Sequence, residues 1–278
     1  MHKYYLCPLA ISLALAGCGG GSGGSDINPQ VTAIKVAALQ YGRTATIYLG
    51  GADLRTTMQV DTGGACTSPT FSSASTPDTA VLNCKVAQAG DFVLSIKSAQ
   101  GDALYSTTLT VLKPQVLLST GSDSITLELD PASAPVTVNN FLGYVNSGYY
   151  TKTLFHRVIA GFVVQAGGYT AGLVKKAGQG APIVLETQKD GPSNLRGTVA
   201  MARTSDPNSA TSEFFVNLVD NKFLDYQSAA SPGYAVFGKV TQGLNVVDAI
   251  ALQPTGSLNG FANVPLTDVT ITLALQIQ

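Results

Sequence analysis

The chain has 278 residues, 45% of them hydrophobic and only 12% charged, with a formal net charge of −1. So even a charge balance, with no basic run, speaks against a nucleic-acid partner. The length exceeds one typical small domain and points to at least two packed units.

Residues 1–18 read as a lipoprotein signal peptide. His2 and Lys3 give a basic start, and Tyr4 to Ala16 form an apolar segment too short to span a bilayer. It ends in Leu15-Ala16-Gly17-Cys18, which matches the bacterial lipobox. On this reading Cys18 becomes the first mature residue and carries a lipid anchor. Several acyl chains on one residue hold a protein to a membrane far better than one chain does. Gly19 follows Cys18, with no Asp there to mark inner-membrane retention. The expected location is therefore the cell envelope, on the outer membrane facing the periplasm. Residues 19–29 form a tether, since Gly19 to Ser25 is only Gly and Ser and behaves as flexible chain. No later stretch is long and apolar enough to cross a membrane.

Residues 30–113 have the pattern of a small β-sandwich, with immunoglobulin-like topology as one option. Short β-rich runs recur at Thr44–Leu49, Thr56–Val60, Ala80–Val86, Asp91–Lys97 and Leu104–Leu112. Turn formers such as Gly50-Gly51, Gly63-Gly64 and Gly101-Asp102 separate them. The sequence has no Trp, so the buried Trp of immunoglobulin domains is absent. Cys7 leaves with the signal and Cys18 is lipidated, which leaves Cys66 and Cys84 as a disulfide pair. An exported chain in an oxidising compartment would form it, with a gain of about 3 kcal/mol in the chain-entropy model. A metal site is not expected, because His156 is the single histidine beyond the signal and two Cys cannot complete a tetrahedral set.

Residues 114–278 read as mostly β with two short helices. Ser124–Leu129 is a strand, and Pro135 opens a helix at a favoured first-turn position. Val138, Phe141, Leu142 and Val145 then recur at helical spacing, and Gly148 closes the element. A second helix is expected over about Leu244 to Leu252, ending before Pro254. The stretch Leu154 to Gly168 holds one cation, Arg157, inside an apolar run. Strict alternation puts Phe155, Arg157 and Ile159 on one face, with His156 and Val158 on the other. Further on, Glu213, Phe215 and Asn217 share a face that suits an apolar group with hydrogen-bonded neighbours.

Together, FHRVI at 155–159, the Gly161-Phe162 pair, Gln165, GTVAMAR at 197–203, SEFFVN at 212–217, Phe223-Leu224-Asp225 and VFGKV at 236–240 resemble the cyclophilin family of peptidyl-prolyl isomerases. The likeness runs from about Val116 to Gln278 and is closest to the short bacterial, periplasmic type. It implies a closed eight-stranded β-barrel capped by two helices, and isomerase activity that needs no cofactor and no metal. It implies catalytic roles for Arg157, Gln165 and Glu213. Phe162, Val163, Phe215 and Leu224 would line the proline pocket, with Ala202 and Arg203 along the peptide groove and Phe223 and Tyr234 beside it. The implied partners are proline-containing segments of unfolded or exported proteins, met by a monomer.

Four positions depart from the family pattern. Glu213 stands where Gln is usual, and it could pair with Arg157 or Arg203, or orient Arg157 as an amide would. Reduced but real activity is the expectation, with Gln at 213 raising it. Val163 replaces Met, Phe223 replaces Trp, and Ala166 replaces Gly, the last being harmless where its φ is negative. Two other readings stay open: a catalytically weak cyclophilin-like peptide-binding module, and a surface-interaction lipoprotein whose sandwich does the work. A Ser–His hydrolase fits less well, because His156 should face away from Arg157 and no Gly-x-Ser-x-Gly elbow surrounds a candidate Ser.

Overall fold

The computed structural model describes residues 29–54 and 57–278. The expected signal peptide, the expected lipidation site Cys18 and the Gly/Ser stretch lie outside them. Seven strands come first: β1 (Gln30–Ala37), β2 (Thr44–Ala52), β3 (Gln59–Asp61), β4 (Cys66–Phe71), β5 (Thr79–Val86), β6 (Gly90–Lys97) and β7 (Ala103–Val111). They form two antiparallel sheets, ordered β1-β2-β5-β4 and β3-β6-β7. This is the strand order of the constant-type immunoglobulin sandwich. Alternation drives it: Ala45, Ile47 and Leu49 of β2, with Leu94 and Ile96 of β6, are fully buried.

Two strands of the sandwich have no counterpart in the runs read from sequence. β1 buries only Val31, so it shows no clean alternation. β4 carries Pro69 and takes an edge position, where a missing N–H costs no ladder bond. Cys66 and Cys84 form a disulfide with Cα atoms 5.5 Å apart. It joins neighbouring strands of one sheet, whereas the immunoglobulin hallmark bridges the two sheets.

The second unit contains β8 (Gln115–Ser119), β9 (Ser124–Leu129), α1 (Pro135–Asn146), β10 (Thr153–Ile159), β11 (Val163–Ala166) and a two-strand ribbon, β12 (Tyr169–Thr170) with β13 (Val174–Lys175). Then follow β14 (Thr198–Met201), β15 (Phe214–Asn217), β16 (Val236–Gln242), α2 (Leu244–Ala251), a ribbon of β17 (Thr255–Leu258) and β18 (Phe261–Pro265), β19 (Thr270–Ile271) and β20 (Leu273–Gln276). The large sheet runs β19-β10-β11-β15-β14-β16-β9-β8-β20. Its two edges, β19 and β20, are consecutive pieces of one strand split at Thr272, whose N–H donates to the Ser119 carbonyl at 2.8 Å. The ends therefore meet, and the sheet closes as a barrel of eight strands.

Aliphatic side chains fill the barrel around one aromatic cluster. The Phe141 ring of α1 lies 5.1 Å from Tyr150, 5.3 Å from Phe214 and 5.1 Å from Phe237. The helix buries the stripe Val138, Phe141, Leu142 and Val145. Its N-cap, Ala134, offers no side-chain acceptor. Glu186 replaces it from a distant loop, accepting from Val136 N at 2.9 Å and from Thr137 N and Oγ1 at 2.7 Å each. A carboxylate suits a helix N-terminus because the exposed N–H groups there carry positive charge.

The sandwich and the barrel touch. Gln276 Nε2 of β20 donates to the buried Tyr41 carbonyl at 2.9 Å, and Asn146 Nδ2 at the end of α1 donates to Gln276 Oε1 at 3.1 Å. Lys113 pairs with Asp130 at 2.9 Å across the junction. In the barrel's strand order β20 lies opposite β14. The sandwich therefore docks on the side away from β11, β15 and β14.

Candidate active site

Arg157 of β10 lies opposite Gln165 of β11, while Phe155 lies opposite Ala166. Gln165 and Ala166 are neighbours on one strand and face opposite ways, so Phe155 and Arg157 face opposite ways too. This overturns the shared face that strict alternation assigns them. The cause is a β-bulge between Phe155 and Arg157 that leaves His156 as the extra residue. Phe155 enters the barrel core. His156 and Arg157 both turn outward, which also overturns the expectation that His156 faces away from Arg157.

Four side chains then form one polar chain on the outer face. Arg157 Nη1 donates to Gln165 Oε1 at 3.3 Å, and Gln165 Nε2 donates to Glu213 Oε2 at 2.8 Å. His156 Nε2 lies 3.2 Å from the same Glu213 oxygen. Glu213 thus pairs with neither Arg157 nor Arg203 and stands behind Gln165. Burial works to raise the Glu213 carboxyl; hydrogen bonding and charge from His156, the Gln165 amide and Lys175 outweigh it and hold it below the usual glutamate range. Gly168 makes room for this carboxylate, since a Cβ there would sit 2.5 Å from Glu213 Oε1.

Beside Arg157 lies an apolar slot. Val163, Ala200, Phe215 and Val236 are buried together on the outer face, apart from the barrel core, with Phe162, Ala202, Leu224 and Tyr234 packed against them. The open pocket above them measures about 410 Å³ and is lined by Arg157, Phe162, Val163, Gln165, Ala202, Arg203, Phe215, Leu224 and Tyr234. The Arg157 guanidinium is 6.0 Å from the Phe162 ring centre. A second hollow of about 270 Å³, reached past Gln165, Ala202 and Arg203, continues the groove to Glu213 and Lys175. Phe223 does not line the slot: it is 67% exposed and stacks at 5.8 Å on Phe162.

The Arg203 side chain is occupied. Its Nε and Nη2 donate to the Gly233 carbonyl at 3.0 and 2.9 Å, and its guanidinium stacks 4.6 Å over Tyr234. Tyr234 in turn meets Phe215 edge-on at 5.6 Å. Arg203 thus braces one wall of the slot.

An amide network holds the other walls. Asn221 Nδ2 donates to the Phe162 carbonyl at 3.0 Å and to Asn217 Oδ1 at 2.8 Å, and Asn217 Nδ2 donates to Asn194 Oδ1 at 3.2 Å. Asp225, next to Leu224, accepts from Asn194 N at 2.7 Å. Asn217 is therefore fully buried and supports the slot from behind instead of facing it. Nothing in the sequence pattern assigns Asn194 and Asn221 this bracing role, as polar loop residues carry no periodic signal. Ala166 lies inside the barrel and is absent from the residues with positive φ, so the missing Gly imposes no strain.

A barrel closed through a split last strand, with a guanidinium beside an outward-facing apolar slot, defines the class. Residues 115–274 match the family described as cyclophilin type peptidyl-prolyl cis-trans isomerase/CLD. The chain belongs to that family and is an isomerase of that class. It is 47% identical over 182 residues to peptidyl-prolyl cis-trans isomerase A of Dickeya dadantii, covering 66% of this chain and 92% of the relative. It is 50% identical over 161 residues to the isomerase cyp18 of Streptomyces antibioticus, covering 57% and 96%. Isomerase B of Escherichia coli K12 is 44% identical over 158 residues, covering 56% and 95%.

Proposed function

We propose that this isomerase acts on X–Pro bonds of exported proteins and that Arg157 assists the rotation directly. The observation that carries the reading is the placement of the Arg157 guanidinium at the rim of a slot walled by Phe162, Phe215 and Leu224. The rotation barrier is about 18–20 kcal/mol, because the C–N bond has partial double-bond character. In the twisted state the prolyl nitrogen regains a lone pair. A fixed, permanently charged donor stabilises that lone pair or the adjacent carbonyl, and it does so more in the twisted state than in either planar one. The slot grips the ring, so the amide turns while the ring stays still. The Arg203 main chain makes no hydrogen bond to another described residue and is free to pair with an extended substrate. No covalent step occurs and none of the chemistry needs a cofactor.

The client class follows from the N-terminal signal and Cys18, supported by the disulfide, which suits an oxidising compartment. On this reading residues 114–278 work as a monomer, lipid-anchored to the outer membrane and facing the periplasm, with residues 30–113 as a spacer behind the slot. A protease-coupled assay on a proline peptide tests the chemistry: Arg157→Ala abolishes most of the acceleration, and full activity in that variant sinks the role of Arg157. Fractionation tests the anchor: Cys18→Ser moves the protein from membranes to the soluble fraction, and an unchanged distribution rules the lipid out.

A further inference from the structure

We infer that His156 and Glu213 are positioning residues for the isomerase step, acting through Gln165 on Arg157; the inference rests on the Arg157 reading above. A glutamine side chain has two nearly isosteric ends, one that donates and one that accepts, and nothing in its own structure chooses between them. Beside an arginine only one choice is productive, because a guanidinium carries donors alone. Glu213 makes the choice. Its carboxylate accepts only, so the Gln165 Nε2 must face it at 2.8 Å, and Oε1 is left toward Arg157 Nη1 at 3.3 Å. The carboxylate is itself held. His156 reaches the same oxygen at 3.2 Å, and Gly168 leaves just enough room behind it.

His156 suits this task in two ways. It is 3% exposed and packed 4.7 Å from the Tyr169 ring, so its imidazole has little freedom. Its Nδ1 has no hydrogen-bond partner among the described residues, while Nε2 faces an acceptor. Nε2 therefore presents its N–H to the Glu213 carboxylate. Neither residue lines the pocket that holds Arg157. The bulge in β10 is what lets one strand deliver both ends of the chain, His156 and Arg157, to the same side. A regular strand would send one of them into the barrel.

The test is a double-mutant cycle read in the protease-coupled assay, with peptide affinity measured by calorimetry. His156→Phe keeps the ring's bulk and removes the donor; it lowers turnover about tenfold, the scale of one hydrogen bond to a charged group, with peptide affinity unchanged. His156→Gln can present its amide N–H where Nε2 stood and recovers most of that loss. In an Arg157→Ala background His156→Phe causes little further loss, because the two act on one path. Full turnover in His156→Phe overturns the inference, as do equal losses in the Phe and Gln variants or losses that multiply with Arg157→Ala. Full activity in Arg157→Ala alone overturns instead the mechanism on which the inference rests.

Discussion

Strand β2 of the sandwich and strand β10 of the barrel both lie inside antiparallel sheets with a partner on each side. They treat their side chains differently. β2 keeps the period of two: Ala45, Ile47 and Leu49 are buried, while Thr44 and Tyr48 are exposed. β10 breaks it: Phe155 enters the core, His156 and Arg157 both face out, and Val158 returns inward. A strand that only builds a core cannot slip by one residue without turning its whole apolar set to solvent. A strand that also builds a site accepts one local break, because neighbouring polar groups must reach the same side. Alternation is thus a sound guide to the core and a poor one to the site.

Substitutions in the two strands should separate folding from chemistry. Arg157→Ala should cost about 100- to 1000-fold in isomerase turnover, the range seen when one preorganised charge-stabilising donor is lost, with an unchanged thermal midpoint. Ile47→Ala should do the reverse, lowering unfolding free energy by about 2–5 kcal/mol and leaving turnover per folded molecule intact. A fall in turnover with Ile47→Ala would instead show that the Tyr41–Gln276 contact couples the two units.

Replacing Cys66 and Cys84 together by Ser should cost about 2–4 kcal/mol in denaturant unfolding, again without effect on the slot. A smaller effect is expected from Gly168→Ala. The added methyl would press on Glu213, and turnover should fall by less than in Arg157→Ala while the core stays intact; wild-type turnover would show that Glu213 can yield without consequence.

The smallest effect concerns acid. The Glu213 carboxyl is held below its ordinary value of 4.5, so the stability it contributes is full above that value and is lost as pH falls through its lowered one. Unfolding free energy should therefore drop less between neutral pH and pH 3 in Glu213→Gln than in the parent chain. Equal drops would mean that the carboxylate gains nothing from its neighbours.

Much of this molecule is readable from local pattern. The helical stripe from Val138 to Val145, the runs that became β2, β5, β6 and β7, and the Cys66–Cys84 pair follow from periodicity and counting. β1 and β4 do not, since one buries a single residue and the other holds Pro69 at an edge. In the site, residue types announce the slot, but not the partner of Glu213. Choosing among His156, Arg157 and Arg203 depends on distances set by strands far apart in sequence.

The amino-acid order alone determined that this is a β-rich chain of two units, one carrying a guanidinium among aromatic and aliphatic residues in the cyclophilin arrangement. Each of those features is a property of a residue and its near neighbours. Tertiary structure decided which strand bulges, which carboxylate faces which donor, and which side of the barrel the sandwich covers. Those outcomes depend on how β10, β11 and β15 are staggered, and no residue carries that stagger by itself.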